Sequence, residues 1–289
     1  MALVFVLYFA LMQLALSPFT QAEGHAGVEA EAEADAENFP NLKSIVMPLA
    51  INRVVGGEAI TIQKVGGYIL ALRYDGDFIC GGSLLRDLVV LSAAHCFLGR
   101  TDKSLWIVEG GVSRLNEDGV KVQLKDYVVP AAFTEREMNM DVAVVLLSDP
   151  LNGPNIATIP LCKTSLVPGL KLTVYGWGLS DPDGTYPHQH LRAVSVPVIK
   201  KKDCKNTYRS SITITDSMFC AGVLGKKDAC TFDSGGPFVY ANSHGGRELC
   251  GIVSFGIGCA SPKYPGVYTD VNYIKPFILA TIKNFGVLD

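Results

Sequence analysis

The sequence predicts an all-β protein built from small barrels. From Val54 onward, short β-rich runs alternate with Gly, Pro, Asn and Asp punctuation, the pattern of a barrel or sandwich and not of a chain organised by long helices. Residues 54–289 are too many for one small barrel and suit two, with no internal sequence repeat and with Pro, Asn and Gly clustering near 150–160, where the boundary is expected. The runs read as strands are, in order, residues 68–74, 88–92, 142–147, 171–175, 193–199, 248–255 and 267–269, and residues 273–285 read as an amphipathic C-terminal helix.

The chain opens on an apolar run over residues 2–17 followed by Thr20-Gln21-Ala22. This is the apolar core and small-x-small cleavage site of a signal peptide, so residues 1–22 are expected to be removed and the protein secreted. The run is shorter than the span of about 20 residues that crosses a bilayer, and no membrane association is expected. Eight cysteines in a secreted chain imply an oxidised framework with every sulfur paired, although spacing alone leaves the connectivity open. A metal site is not expected: no Cys-x-x-Cys pair occurs, and His188 and His190 stand alone in their loop.

The formal charge of −3 is unevenly spread. Glu23, Glu29, Glu31, Glu33, Asp35 and Glu37 face only Lys43 and Arg53 before residue 54, which leaves a near-neutral body with no electrostatic footprint for nucleic acid. The acidic, alanine-rich stretch 29–38 reads as a solvated low-complexity segment.

Three short motifs carry chemistry. Cys230-Thr231-Phe232-Asp233-Ser234-Gly235-Gly236-Pro237 presents a serine among glycines, Leu91-Ser92-Ala93-Ala94-His95-Cys96 sets a histidine at the end of an apolar run, and Asp141 opens the run 142–147. A serine must lose its proton to attack a carbonyl. A neutral imidazole can take that proton, and a buried carboxylate fixes the imidazole tautomer and stabilises the imidazolium. Each group alone has a plain structural reading, as a turn, a core histidine and a strand cap. Their order, His then Asp then Ser, and their joint spacing argue for a nucleophilic triad.

These motifs, with Arg53-Val54-Val55-Gly56-Gly57, Cys80-Gly81-Gly82-Ser83-Leu84, Gly176-Trp177-Gly178, the run 251–256 and Pro265-Gly266-Val267-Tyr268, resemble the trypsin/chymotrypsin family of secreted serine proteases, nearest to its insect members, from about Arg53 to the C-terminus. The resemblance implies two six-stranded antiparallel β-barrels, with His95 and Asp141 from the first and Ser234 from the second. It implies a propeptide over residues 23–53, cut by an activating trypsin-like protease at Arg53, after which the new Val54 ammonium pairs with Asp233. It pairs Cys80 with Cys96, Cys204 with Cys220 and Cys230 with Cys259, and Cys162 with Cys250 follows by elimination. It places a pocket carboxylate at Asp228 below an opening kept by Gly256 and Gly266, with Ser254 on the strand edge that pairs with substrate. The implied partners are therefore protein or peptide substrates with Arg or Lys at the cleaved bond, together with protein inhibitors. No cofactor is implied.

The departures from the family pattern are Phe255, where tryptophan is usual, and Phe232, where glycine is usual. The backbone N–H groups of residue 232 and Ser234 form the oxyanion hole of the family, so Phe232 leaves two readings: an active endopeptidase cleaving after Arg or Lys, or a protease-like binding or regulatory protein with little turnover.

Overall fold

The first strands of the chain close on themselves. In the computed structural model, which describes residues 57–178, 189–226, 233–258 and 261–287, strands β2 (Ile69–Tyr74), β3 (Asp77–Arg86), β4 (Val89–Ser92), β5 (Trp106–Gly110), β6 (Val120–Val128) and β7 (Ala143–Leu147) form a closed antiparallel barrel in the order β2-β3-β4-β7-β6-β5. Its filling is aliphatic at β2, β4 and β7, and aromatic where Trp106 packs against Tyr74, Phe97 and Tyr127 packs against Phe97. Each such side chain contributes about 1.5–3 kcal/mol on burial.

The later strands form a second sheet. Strands β8 (Lys171–Gly176), β9 (Arg192–Pro197), β10 (Met218–Ala221), β11 (Pro237–Ala241), β12 (Arg247–Phe255) and β13 (Gly266–Asp270) run in the order β9-β8-β11-β12-β13-β10, and the two-residue β1 (Glu58–Ala59) adds to the outer edge of β9 as a seventh strand. The six return to their start through backbone hydrogen bonds from Ile199 N to Cys220 O (2.8 Å) and from Gly222 N to Pro197 O (3.2 Å). The second barrel is thus closed by a short seam and not by a full strand pair. Phe219, Phe238 and Tyr268 stack in its interior at centroid separations of 4.3–5.8 Å.

Helices are few among the described residues: α1 (Ile62–Val65), α2 (Lys201–Tyr208) and α3 (Val271–Asn284). The last is the expected C-terminal helix. Asp270 caps it by accepting from Asn272 N and Tyr273 N, and it packs through Val271, Ile274, Ile278 and Ile282. None of the helices among the described residues is long and apolar enough to cross a membrane.

All seven runs read as strands from the sequence are strands. The long strand β3 is not among those runs, because Gly81 and Gly82 interrupt its β-rich composition. At Gly81, however, a Cβ would lie 2.9 Å from the Gly236 backbone, so glycine lets two chains touch there. Strand β5 was hidden by Glu109, fully buried yet matched by Arg73 at 2.7 Å and by Gly119 N at 3.1 Å.

Three disulfides are present among the described residues, Cys80–Cys96, Cys162–Cys250 and Cys204–Cys220. The expected Cys230–Cys259 pair lies outside them, as do the signal segment, Arg53 and Val54. Cys162–Cys250 has a Cα separation of 4.7 Å and closes a loop of 88 residues, tying the segment before β8 to β12. Replacing both cysteines by alanine is expected to lower the unfolding free energy by about 2–5 kcal/mol, read from denaturant midpoints, while the other two bridges still form.

Candidate active site

The site is built where the two barrels meet. His95 follows β4 directly, in the 3₁₀ turn Ala94–Phe97, whose buried Cys96 is bridged to β3 at Cys80. Asp141 lies two residues before β7, joined to it through the fully buried Val142, and is itself fully buried. Its Oδ2 lies 2.7 Å from His95 Nδ1, and its Oδ1 accepts the His95 backbone N–H at 3.0 Å. The carboxylate therefore fixes both the ring and the turn that carries it. A carboxylate at Nδ1 requires a proton on that nitrogen and leaves the Nε2 lone pair available as a base.

Ser254 completes the carboxylate's shell from the second barrel, its hydroxyl donating to Asp141 Oδ2 at 2.5 Å. Its direction comes from a bulge. Val253 pairs with Tyr268 and Phe255 with Val267, so Ser254 is an extra residue in β12 opposite β13. Such a residue breaks the alternation and re-aims its side chain, here inward onto Asp141. The neighbouring Thr269 donates to the Asp141 backbone carbonyl at 2.9 Å.

Burial alone would pull the His95 pKa down, but the adjacent Asp141 charge and hydrogen bond outweigh it and hold His95 above the ordinary histidine value; Arg100 opposes weakly. For Asp141, burial pushes the pKa up, and the His95 charge with the His95 and Ser254 hydrogen bonds overcomes that to hold it below the ordinary carboxylate value.

Ser234 stands in a turn packed on β3 and on the end of β4, next to the residues that lead into His95. Its carbonyl accepts Gly81 N at 2.8 Å, and Ser92 donates to Gly81 O at 2.8 Å. Gly235 has φ +75°, and a Cβ there would stand 2.2 Å from Ser92 Oγ and 3.0 Å from Ala93 N, so only glycine permits the turn to lie on the residues leading into His95. Asp233, also fully buried, accepts Gly178 N at 2.9 Å, and a side chain at Gly176 or Gly178 would come within 2.0–2.2 Å of its carboxylate. Gly176-Trp177-Gly178 is thus a seat shaped around Asp233.

Gly256 follows Phe255, whose ring lies 6.0 Å from that of Tyr208, and Gly266 follows Pro265, whose carbonyl accepts the Tyr208 hydroxyl, and pairs with Ala221 across β13 and β10. Asp228 and Phe232 lie outside the described residues. Among the described residues two groups of metal-ligating side chains converge, Cys80–His95–Cys96 and Cys162–Glu248–Cys250, but in each the two sulfurs are joined in a disulfide and offer no thiolate. The sequence reading missed Ser92 and Thr269, hydroxyls whose roles depend on contacts between chain segments far apart in sequence.

A family model described as Trypsin matches residues 54–278. The chain is 56% identical over 247 residues to Seminase of Drosophila melanogaster, covering 85% of this chain and 88% of that one. It is 35% identical to Trypsin zeta of Drosophila melanogaster, covering 80% and 86%, and 35% identical to Vitellin-degrading protease of Bombyx mori, covering 82% and 88%. With the two-barrel architecture and the His95–Asp141 pair beside the Ser234 turn, these similarities show that the chain belongs to the trypsin family and is a serine endopeptidase.

Proposed function

We propose that the chain is a secreted precursor of an endopeptidase that cuts after Arg or Lys, with His95, Asp141 and Ser234 as the reacting set. The observation that carries this reading is the short His95–Asp141 pair, closed by Ser254 and set beside the Ser234 turn. Ser234 Oγ attacks the scissile carbonyl as His95 Nε2 takes its proton, Asp141 stabilises the imidazolium, and the proton then passes to the leaving amine. The N–H groups of Ser234 and Phe232 receive the oxyanion. Asp228, below an opening kept by Gly256 and Gly266, selects a cationic side chain because a carboxylate at the end of a narrow slot attracts a cation and leaves a neutral side chain with an uncompensated charge. The relatives named trypsins support that choice.

Secretion is supported by the apolar N-terminal run and by the three disulfides, which persist in oxidising compartments. Activation at Arg53 frees an ammonium at Val54 that pairs with Asp233, and the complete burial of Asp233 supports a strong coupling between that cut and the order of the site.

Protein cleaved after Arg53 is expected to hydrolyse an arginyl amide and to react stoichiometrically with a serine-directed phosphonate. Arg53→Gln is expected to be secreted, uncut and silent, and normal amidase activity from that variant would overturn the activation step. If the cleaved wild type shows neither reaction, the binding-protein reading replaces this one.

The pH dependence has a definite sign. His95 must be neutral to act as a base and its pKa is held up by Asp141, so kcat/KM should rise with pH through a value above that of an ordinary histidine. Asp141→Asn removes the raising charge, so the acid limb should move to lower pH while kcat falls about 10⁴-fold. Phe232→Gly is expected to raise amide turnover about 10- to 100-fold, measured under single-turnover conditions, and to restore inhibition by rigid protein inhibitors that span the scissile bond.

A further inference from the structure

The turn that delivers Asp141 is held in an unfavourable conformation. Among the described residues, four non-glycine positions have positive φ: Asp75, Met138, Met140 and Asn155. Aspartate and asparagine tolerate the left-handed region because their short polar side chains bond locally. Methionine has no such compensation. Yet Met138 (φ 52°) and Met140 (φ 53°) both adopt it, one on each side of Asn139 and directly before Asp141.

Bonds within the segment shape part of it, from Met138 N to Thr134 O and from Val142 N to Met140 O, both at 2.8 Å, and the second barrel supplies further contacts. The Ser217 hydroxyl, buried just ahead of β10 in the second barrel, accepts the Met140 backbone N–H at 3.0 Å and donates to Asn139 Oδ1 at 2.9 Å. The Thr215 hydroxyl donates to the same Oδ1 at 2.8 Å and lies 2.9 Å from Ser217 Oγ. Two hydroxyls of one barrel thus grip both the side chain of Asn139 and the backbone of Met140 in the other. Ser217 is itself fixed, because its carbonyl accepts the N–H of Asp270, the cap of α3. Strained backbone persists only where its surroundings over-determine it, and such strain gathers at reacting centres.

We propose that Ser217, acting through Met140 N and Asn139, is a positioning residue that holds the Met138–Met140 turn in the conformation from which Asp141 meets His95. Thr215 secures the far side of Asn139. Without the Ser217 hydroxyl, the Met140 N–H loses its acceptor and the turn relaxes toward commoner angles, carrying Asp141 away from a contact that is 2.7 Å long. The kinetic readout rests on the triad reading above. The His95 titration does not.

Ser217→Ala and Thr215→Val, made in the full chain and cleaved after Arg53, are compared with the wild type by kcat and KM on an arginyl amide and by NMR titration of the His95 ring. A displacement of about 1 Å at a reacting group costs up to about 100-fold in rate, so Ser217→Ala should lower kcat about 10- to 100-fold with KM nearly unchanged. The His95 titration should move to lower pH, because Asp141 is the group holding it up and both burial and Arg100 oppose. Thr215→Val should move both readouts in the same direction by less. Adding Met140→Asn, which adopts the left-handed region readily, to Ser217→Ala should recover most of the lost kcat. Wild-type kcat and an unmoved His95 titration in Ser217→Ala would overturn the proposal, as would failure of Met140→Asn to rescue. Should Ser217→Ala not fold, an unmoved His95 titration in Thr215→Val overturns it equally. If the wild type does not turn over but Ser217→Ala still shifts the His95 titration, the positioning role stands and the triad reading falls.

Discussion

A carboxylate with no exposure to water sits where the two barrels join, and much of the surrounding structure answers to it. Moving Asp141 out of water costs several kcal/mol unless its oxygens are matched by good partners. The partners come from both barrels: the His95 ring and backbone N–H from the first, the Ser254 hydroxyl from the second, with Thr269 holding the carbonyl of the same residue. Separating the barrels would leave the charge without Ser254 and the carbonyl without Thr269. The interface that shapes the cleft is therefore stabilised by the same contacts that aim the histidine, and stability and chemistry share one set of atoms.

Asp233 solves the same problem differently. It lies one residue before Ser234, is as buried as Asp141, and receives a backbone N–H from Gly178 inside a seat where glycines at 176 and 178 leave no room for a side chain. Glu109 gives a third solution, with the fixed cation Arg73 at 2.7 Å and Lys121 at 3.4 Å. Arg73 also donates to the Leu115 carbonyl at 2.6 Å, which ties this pair into the first barrel. Of these three buried acids, Asp141 has a described partner that titrates near neutral pH.

How far the sequence could be read depends on the range of the interaction that fixes each feature. Strands 171–176 and 192–197 announce themselves through β-rich composition between turn residues, which is local. His95, Asp141 and Ser234 were legible because their motifs are short and chemically distinctive. Strand β3 was not, because its glycines exist for a contact with Gly236 more than 150 residues away in the chain. The same holds for the inward turn of Ser254, which depends on a one-residue mismatch between β12 and β13, and for the hydroxyls of Ser217 and Thr269, which are ordinary strand and turn residues until the barrels dock. Pairing of Cys162 with Cys250 was reached by counting, since nothing local joins residues 88 apart.

The coupling of His95 to Asp141 sets stability and activity against each other. Asp141 is held below its ordinary pKa, so its contribution to folding is present above the unfolded carboxylate value and is lost as pH falls through the folded one. His95 is held above its ordinary value, so its contribution is complete below the unfolded histidine value and is lost as pH rises through the folded one. Between those limits the two form an ion pair, the state that favours folding most. In the proposed mechanism that state cannot take a proton from Ser234, because Nε2 already carries one. On that mechanism base catalysis begins as the His95 contribution to stability is withdrawn, so the burden of holding Asp141 in place passes to groups that do not titrate there: the hydroxyls of Ser254 and Thr269 and the backbone N–H of His95.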